Sequence, residues 1–146
     1  SDSPADATMH VFLTEYSPTY VNVEERRVRL RKQLTDSGGG PLGIEAVKEI
    51  VIGVTDLEIA RGLWQKLLDP ARSSGSNAWQ VGSGPALRLV KANKNALQEL
   101  VVSVNSLPRA KAFLRERALL GRAAGEEATI ESSKIDGLNM RIVGRR

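Results

Sequence analysis

The strongest constraint on this chain is an internal repeat. Residues 48–68 read KEIVIGVTDLEIARGLWQKLL, and residues 98–118 read QELVVSVNSLPRAKAFLRERA. At an offset of 50 positions Glu49/Glu99, Val51/Val101, Val54/Val104, Leu57/Leu107 and Ala60/Ala110 are identical, with no gap across 21 positions. Ile50/Leu100, Ile52/Val102, Arg61/Lys111 and Leu63/Phe113 are conservative replacements. Further on, residues 86–90 (ALRLV) match residues 139–143 (NMRIV) at an offset of 53. Such a chain must fold as two similar units, so an element proposed for one half has to be available to the other.

Each repeat translates into the same order of elements. A β-branched run with apolar residues on both faces reads as a strand buried on both sides. Thr55-Asp56 and Asn105-Ser106 then supply N-cap residues. Pro108 sits in the first turn of the second helix, where its missing N–H costs nothing. Leu57, Ala60, Leu63, Trp64 and Leu67 form one helical stripe, and Leu107, Ala110, Phe113 and Leu114 the other. Asp69-Pro70 ends the first helix, and Gly121 is expected to cap the second. Strand-like segments follow at 78–82 and 85–92, and at 128–134 and 138–144. Gly82-Ser83-Gly84 and Asp136-Gly137 read as tight hairpin turns between them. A short extra strand is expected near 72–75 and 121–124, so each repeat reads βαββ or βαβββ.

Before the repeats, residues 1–9 read as a loose polar end, 10–16 (HVFLTEY) as a short strand and 23–34 as an exposed helix. The run Asp36-Ser37-Gly38-Gly39-Gly40-Pro41 stops that helix and marks a boundary. The glycine run lacks the preceding strand and following Lys-Ser/Thr of a phosphate loop, so it reads as a linker. The divisions expected are an N-terminal extension (1–43), a first module (44–93) and a second module (94–146). The chain opens Ser-Asp-Ser-Pro, which suggests a fragment or processed product of a longer protein.

Composition narrows the chemistry. Hydrophobic residues are 41% and charged residues 26% of 146, an ordinary globular balance. No apolar run reaches the ~18 residues of a membrane span. There is no cysteine and one histidine, His10, so thiolate and multi-histidine metal sites are excluded within one chain. The net charge of +4 is concentrated at Arg26, Arg27, Arg29, Arg31 and Lys32 and at Arg145 and Arg146. That clustering fits a solvated helix face and a basic tail, or a phosphate-contacting patch. Aromatics are only 4%, too few for a stacking platform, so nucleic acid is not expected as a partner. Neither membrane nor signal sequence is read, and the expected location is cytoplasmic.

The strand ending in a small polar cap, the amphipathic helix and the hairpin, all duplicated, resemble the vicinal oxygen chelate superfamily of glyoxalases, bleomycin-resistance proteins and extradiol dioxygenases. VKEIVIGVTDLEIA (47–60) looks like its opening strand and helix start, and residues 97–110 are similar. The resemblance covers 44–144. It implies an α+β fold of two tandem βαβββ modules forming a curved mixed sheet around a cleft, here with an N-terminal strand-helix extension that would be the remnant of an upstream module. A ferredoxin-like βαββαβ fold is the rival if fewer strands follow each helix.

The resemblance also implies a divalent metal on the concave face, held by the first and last strands of each unit. The first-strand positions fall on Glu49 and Glu99, and the last-strand positions on Arg88 and Arg141. Alternation puts Glu49, Val51 and Gly53 on one face, with Ile50, Ile52 and Val54 against the helix. It turns Arg88 and Arg141 away from their apolar neighbours. Arginine has no lone pair to give a metal. Two carboxylates alone suit Zn, Ni or Fe poorly. No metal and no other cofactor is therefore expected.

Two Glu and two Arg on one face can pair with each other, grip an anionic ligand through the arginine forks, or offer a Glu as general base. Trp64 reads as core. Trp79 reads equally as cleft wall or core, His10 as a surface residue, and Tyr16 and Tyr20 as side chains that could close over the cleft. Three function classes are open. The first is a metal-independent module binding a small, anionic molecule, with Glu49, Arg88, Glu99, Arg141 and Trp79 as its cleft candidates. The second is a metal-dependent lyase or dioxygenase whose ligands are completed by a missing module or partner chain. The third is a structural or dimerisation domain with an ion-pair-filled cleft, compatible with a homodimer. The first leads.

Overall fold

A computed structural model describes residues 23–75 and 77–145. Helix α1 (Val23–Asp36) precedes β1 (Ile44–Val54), α2 (Leu57–Leu68), β2 (Ala78–Gln80) and β3 (Ala86–Lys91). The second half repeats the order with β4 (Ala96–Val104), α3 (Leu107–Glu116), β5 (Leu120–Ala124), β6 (Glu127–Ile130) and β7 (Met140–Gly144). The strands form one open mixed sheet in the order β2-β3-β1-β4-β7-β6-β5. β1 and β4 pair antiparallel at its centre, β3 runs parallel to β1, and β7 parallel to β4. This is an α+β fold with one open mixed sheet, as the sequence leads one to expect. The rival βαββαβ arrangement fails because three strands follow α3.

Both helices cover the same sheet face. Val54 and Leu89 pack with Ala60, Trp64 and Trp79 under α2. Val102, Val104, Ile130 and Ile142 pack with Ala110 and Leu114 under α3. The caps read from the sequence are made, with Asp56 accepting from Ile59 N–H and Ser106 from Arg109 N–H. The buried stripe of α2 is centred on Ala60 and Trp64, flanked by the partly buried Leu57 and Leu68. At 100° per residue this leaves Leu63 and Leu67 on a flank, where they are 39% and 55% exposed rather than in the expected core stripe.

Both central strands carry an extra residue just before the repeated glutamate. Val47 is opposite Val102 while Glu49 is opposite Val101, so Lys48 is the bulged residue. Likewise Leu97 is opposite Ile52 while Glu99 is opposite Val51, so Gln98 is bulged. Each bulge reverses the alternation. Val47 and Leu97 therefore share the helix face, and Glu49 and Glu99 the opposite one.

Other expectations shift in detail. Residues 72–75 form no strand, and that loop closes through Ser74 N–H to Ala78 C=O and Gln65 Nε2 to Ala71 C=O. The first half is thus βαββ and the second βαβββ. A 3-10 turn (Ser132–Lys134) lengthens the joint between β6 and β7 beyond a tight hairpin, although Asp136 and Gly137 both have positive φ. Gly121 is not the cap of α3. It lies in β5, where a Cβ would approach Thr129 Oγ1 to 2.7 Å. The left-handed residue after α3 is Ala118, with φ 54°. Leu119 N–H reaches Leu114 C=O and Ala118 N–H reaches Arg115 C=O, the two bonds of a Schellman motif. The strand expected at 10–16, His10, Tyr16 and Tyr20 lie outside the described residues.

An alanine at a left-handed position carries a steric penalty that glycine escapes. Ala118→Gly should raise stability by about 0.5–1 kcal/mol. Urea unfolding checks this, and a loss of stability would contradict the Schellman geometry.

Candidate functional site

The face opposite α2 and α3 gathers the four charged positions the sequence singles out. In the central ladders Val51 is flanked by Arg88 on β3 and Glu99 on β4. Val101 is flanked by Glu49 on β1 and Arg141 on β7. The ion pairs then run diagonally, each within its own module. Arg88 Nε and Nη2 lie 2.9 and 2.8 Å from Glu49 Oε1. Arg141 Nε lies 3.1 Å from Glu99 Oε1. Diagonal neighbours are within reach of long side chains.

Arg141 also donates from Nη1 to Glu127 Oε1 at 2.9 Å. β6 supplies this second acid because Ala128 and Ile130 face the core, which turns Glu127 and Thr129 to the charged face. Burial alone would lower the pKa of Arg141. Its hydrogen bonds to Glu127 and Glu99, with their negative charges, outweigh that and raise it above the ordinary arginine value. Because the folded pKa is raised, this contribution to stability is complete below the unfolded arginine range and fades only above it. Val51 and Val101 are only 3% and 5% exposed, although neither belongs to the cores beneath the helices. The ladder neighbours on that face are the paired Glu and Arg side chains, whose aliphatic stems can shield the valines.

Trp79 is not part of this face. It is 0% exposed in the core under α2, and its Nε1 donates to Gln65 Oε1 at 3.0 Å. Pairing with Leu87 fixes it on the helix side. The cleft-wall reading is therefore replaced by the core reading. The sequence offers the basic end as a tail or as part of a phosphate-contacting patch; in the structure Arg145 forms a two-nitrogen pair with Glu45 at the start of β1.

Among the described residues, recesses of two sizes border the second module. The larger, about 520 Å³, lies at the start of α3 and is lined by Glu126, Glu127 and Arg145 among others. The smaller, about 300 Å³, opens beside Glu99 and is lined by Arg122, Thr129, Glu131, Asn139 and Met140. Several of its polar groups are already held. Arg122 N–H donates to Thr129 Oγ1, and Asn139 Nδ2 to Gln98 C=O. The Arg122 guanidinium has no partner among the described residues. Sequence reading missed Arg122, Thr129 and Asn139, because only the β5–β6–β7 register brings them to Glu99.

No protein-family model matches the sequence, and no curated protein matches it. Solved structures do match the fold. Methylmalonyl-CoA epimerase from Mycobacterium tuberculosis superposes with a TM-score of 0.52 at 15% identity, over 70% of this chain and 89% of that one. A hypothetical protein from Bacillus halodurans C-125 gives 0.53 at 11% identity, over 68% and 94%. A selenomethionine methylmalonyl-CoA epimerase gives 0.51 at 9% identity, over 69% and 95%. The chain has the vicinal oxygen chelate fold.

The resemblance drawn from the sequence implies a metal at Glu49, Arg88, Glu99 and Arg141. The donor set does not fit one. Both carboxylates are engaged by guanidinium groups, and the other two positions cannot donate a lone pair. Among the described residues no group of three or more His, Cys, Asp or Glu side chains could hold a metal ion.

Removing Arg141 strands two carboxylates, whereas removing Arg88 strands one. Arg141→Met should cost about 1–3 kcal/mol and Arg88→Met less. Adding Glu99→Gln to Arg141→Met should recover part of the loss. Denaturant unfolding of the three variants tests this, and equal costs for the two arginines would refute the shared-cation arrangement.

Proposed function

We propose that this domain is a metal-independent module binding a small polar molecule in the recess beside Glu99. The observation that supports it most is the Arg122 guanidinium. Arg122, an exposed residue, lines a recess of about 300 Å³, and its guanidinium has no partner among the described residues. A ligand carboxylate or phosphate would complete its donor fork. Asn139 and Thr129 would orient the ligand, and Glu99 would accept from any ligand hydroxyl or amine. Arg88 and Arg141 act as framework rather than as the anion grip, since their forks are already turned to Glu49, Glu99 and Glu127. Two fold-mates are named methylmalonyl-CoA epimerase, a name that points to an anionic ligand for those proteins, while fold alone does not fix chemistry.

Titration with succinate, and with inorganic phosphate as comparison, should perturb the amide signals of Arg122 and Asn139. Arg122→Met should weaken binding by about tenfold or more. Perturbation elsewhere, or an unchanged affinity in the variant, would overturn the reading.

Metal independence has its own check. Thermal midpoints with Zn²⁺, Ni²⁺ or Mn²⁺ should stay within about 1 °C of the value in chelator, because a ligand that does not bind the native state cannot shift it. A rise that depends on metal concentration would make the enzyme reading the leading one.

A second reading is favoured by the burial of Val51 and Val101 beneath the ion pairs. In it the charged face is a closed structural layer and the domain serves assembly. Sedimentation of a stable dimer, together with no response to either anion, would select it.

A further inference from the structure

The two modules differ at one repeated position beside the larger recess. In the first, Val54 on β1 stands opposite Lys91 on β3. Lys91 Nζ donates to the C=O of Thr55, the residue that follows Val54. An ammonium group therefore sits at the junction of β1 with α2. In the second, Val104 on β4 stands opposite Gly144 on β7, in the same register. Asn105 takes the place of Thr55, and Gly144 has no side chain to reach it. Nothing among the described residues donates to the Asn105 C=O. The recess of about 520 Å³ lies at this junction, lined by Asn105, Leu107, Pro108 and Gly144 among others. Its volume is in the range of small-molecule sites.

The charges around the recess favour a cation. Glu126 and Glu127 both line it. Glu126 has no partner among the described residues, and Glu127 meets Arg141 through Oε1 alone. Arg145, which also lines the recess, is already turned to Glu45 with two nitrogens. The start of α3 offers an anion little, because the Arg109 N–H is held by Ser106 and Pro108 has no N–H. Leu107, Pro108 and Val143 supply apolar surface for a methylene stem. We infer that this recess binds an alkylammonium group, seated as Lys91 Nζ is seated in the first module. The Asn105 C=O and the Glu126 carboxylate accept its N–H groups, and Glu127 adds negative charge. The residues lining this recess and those lining the one beside Glu99 do not overlap, so the site stands apart from the anion reading of Arg122.

The probe is n-butylammonium, which is the lysine side chain without its backbone. Added to the full chain up to about 50 mM, it should shift the amide signals of Leu107, Glu126 and Gly144 to saturation. Arg122 and Asn139, at the other recess, should not follow. n-Butyrate at the same concentration should leave the three signals in place. Gly144→Lys should weaken butylammonium binding about tenfold or more, because the chain then supplies its own ammonium. The fold accommodates this change: Gly144 has no left-handed φ, and an added Cβ meets only Leu107 Cβ, at an ordinary 3.6 Å. Glu126→Gln, at an exposed turn, should also weaken binding and serves if the lysine variant does not fold. 1,5-Diaminopentane and N-acetyl-lysine methylamide carry the same group, and the tighter of the two tells a free diamine from the lysine of a partner. No shift with butylammonium, equal shifts with butyrate, or unchanged affinity in the variants would overturn the inference.

Discussion

Everything in this structure hangs from the antiparallel pairing of β1 with β4. These are the longest strands, and their inner ends hold Val51, Val54, Val101, Val102 and Val104 nearly free of solvent. The pairing joins the two repeats into one sheet, since no other ladder crosses between them. It also sets both faces at once. Register decides which residues stand opposite each other, and a slip of one would carry every side chain to the wrong side. The paired bulges at Lys48 and Gln98 make that register particular: one helix-side apolar residue and one glutamate are delivered from each strand within three positions.

On the charged face, ion pairs occupy the repeated strand positions Glu49, Arg88, Glu99 and Arg141. Half-buried ion pairs gain little net stability over well-packed apolar groups, but losing one partner is costly. The Arg141 group is the extreme case, one cation between carboxylates from β4 and β6. It links three neighbouring strands through side chains in addition to their ladders. The Arg88–Glu49 pair does the same for two. The two modules thus share a plan yet differ in electrostatics, with the extra acid and the open guanidinium both on the second.

Much of this was legible in the sequence. Period-two alternation turns Glu49, Arg88, Glu99 and Arg141 away from their apolar neighbours, while their meeting on one face is implied by the family resemblance and is set by the β3-β1-β4-β7 order. The helix caps at Asp56 and Ser106 were legible from local sequence. What escaped depended on information that a linear pattern lacks. A bulge has no signature in KEI or QEL, so Val47 and Leu97 could not be separated from the glutamates beside them. Trp79 could not be placed because its face is set by pairing with Leu87 across a loop. Gly121 looked like a cap because glycine usually is one, whereas Ala118 takes that conformation. Arg122, Thr129 and Asn139 come from three separate stretches, and only the edge register of the second module assembles them.

The central pairing also governs how the chain reaches its fold. Glu49 must find Val101, about fifty residues away, before either half has a neighbour on its inner edge. The β2–β3 and β5–β6–β7 ladders need only short local closures. The parallel β1–β3 and β4–β7 ladders, which join Glu49 to Ala86 and Leu100 to Met140, need long closures too, so loop-closure entropy falls on three ladders. The outer hairpins can form and dissolve quickly while the chain searches, and the rate of folding is set by these long-range encounters, of which the pairing of the two β-branched central strands is the longest. Until that encounter each strand has an unpaired apolar edge, so the same contact that unifies the native sheet exposes the folding chain to pairing with a neighbour.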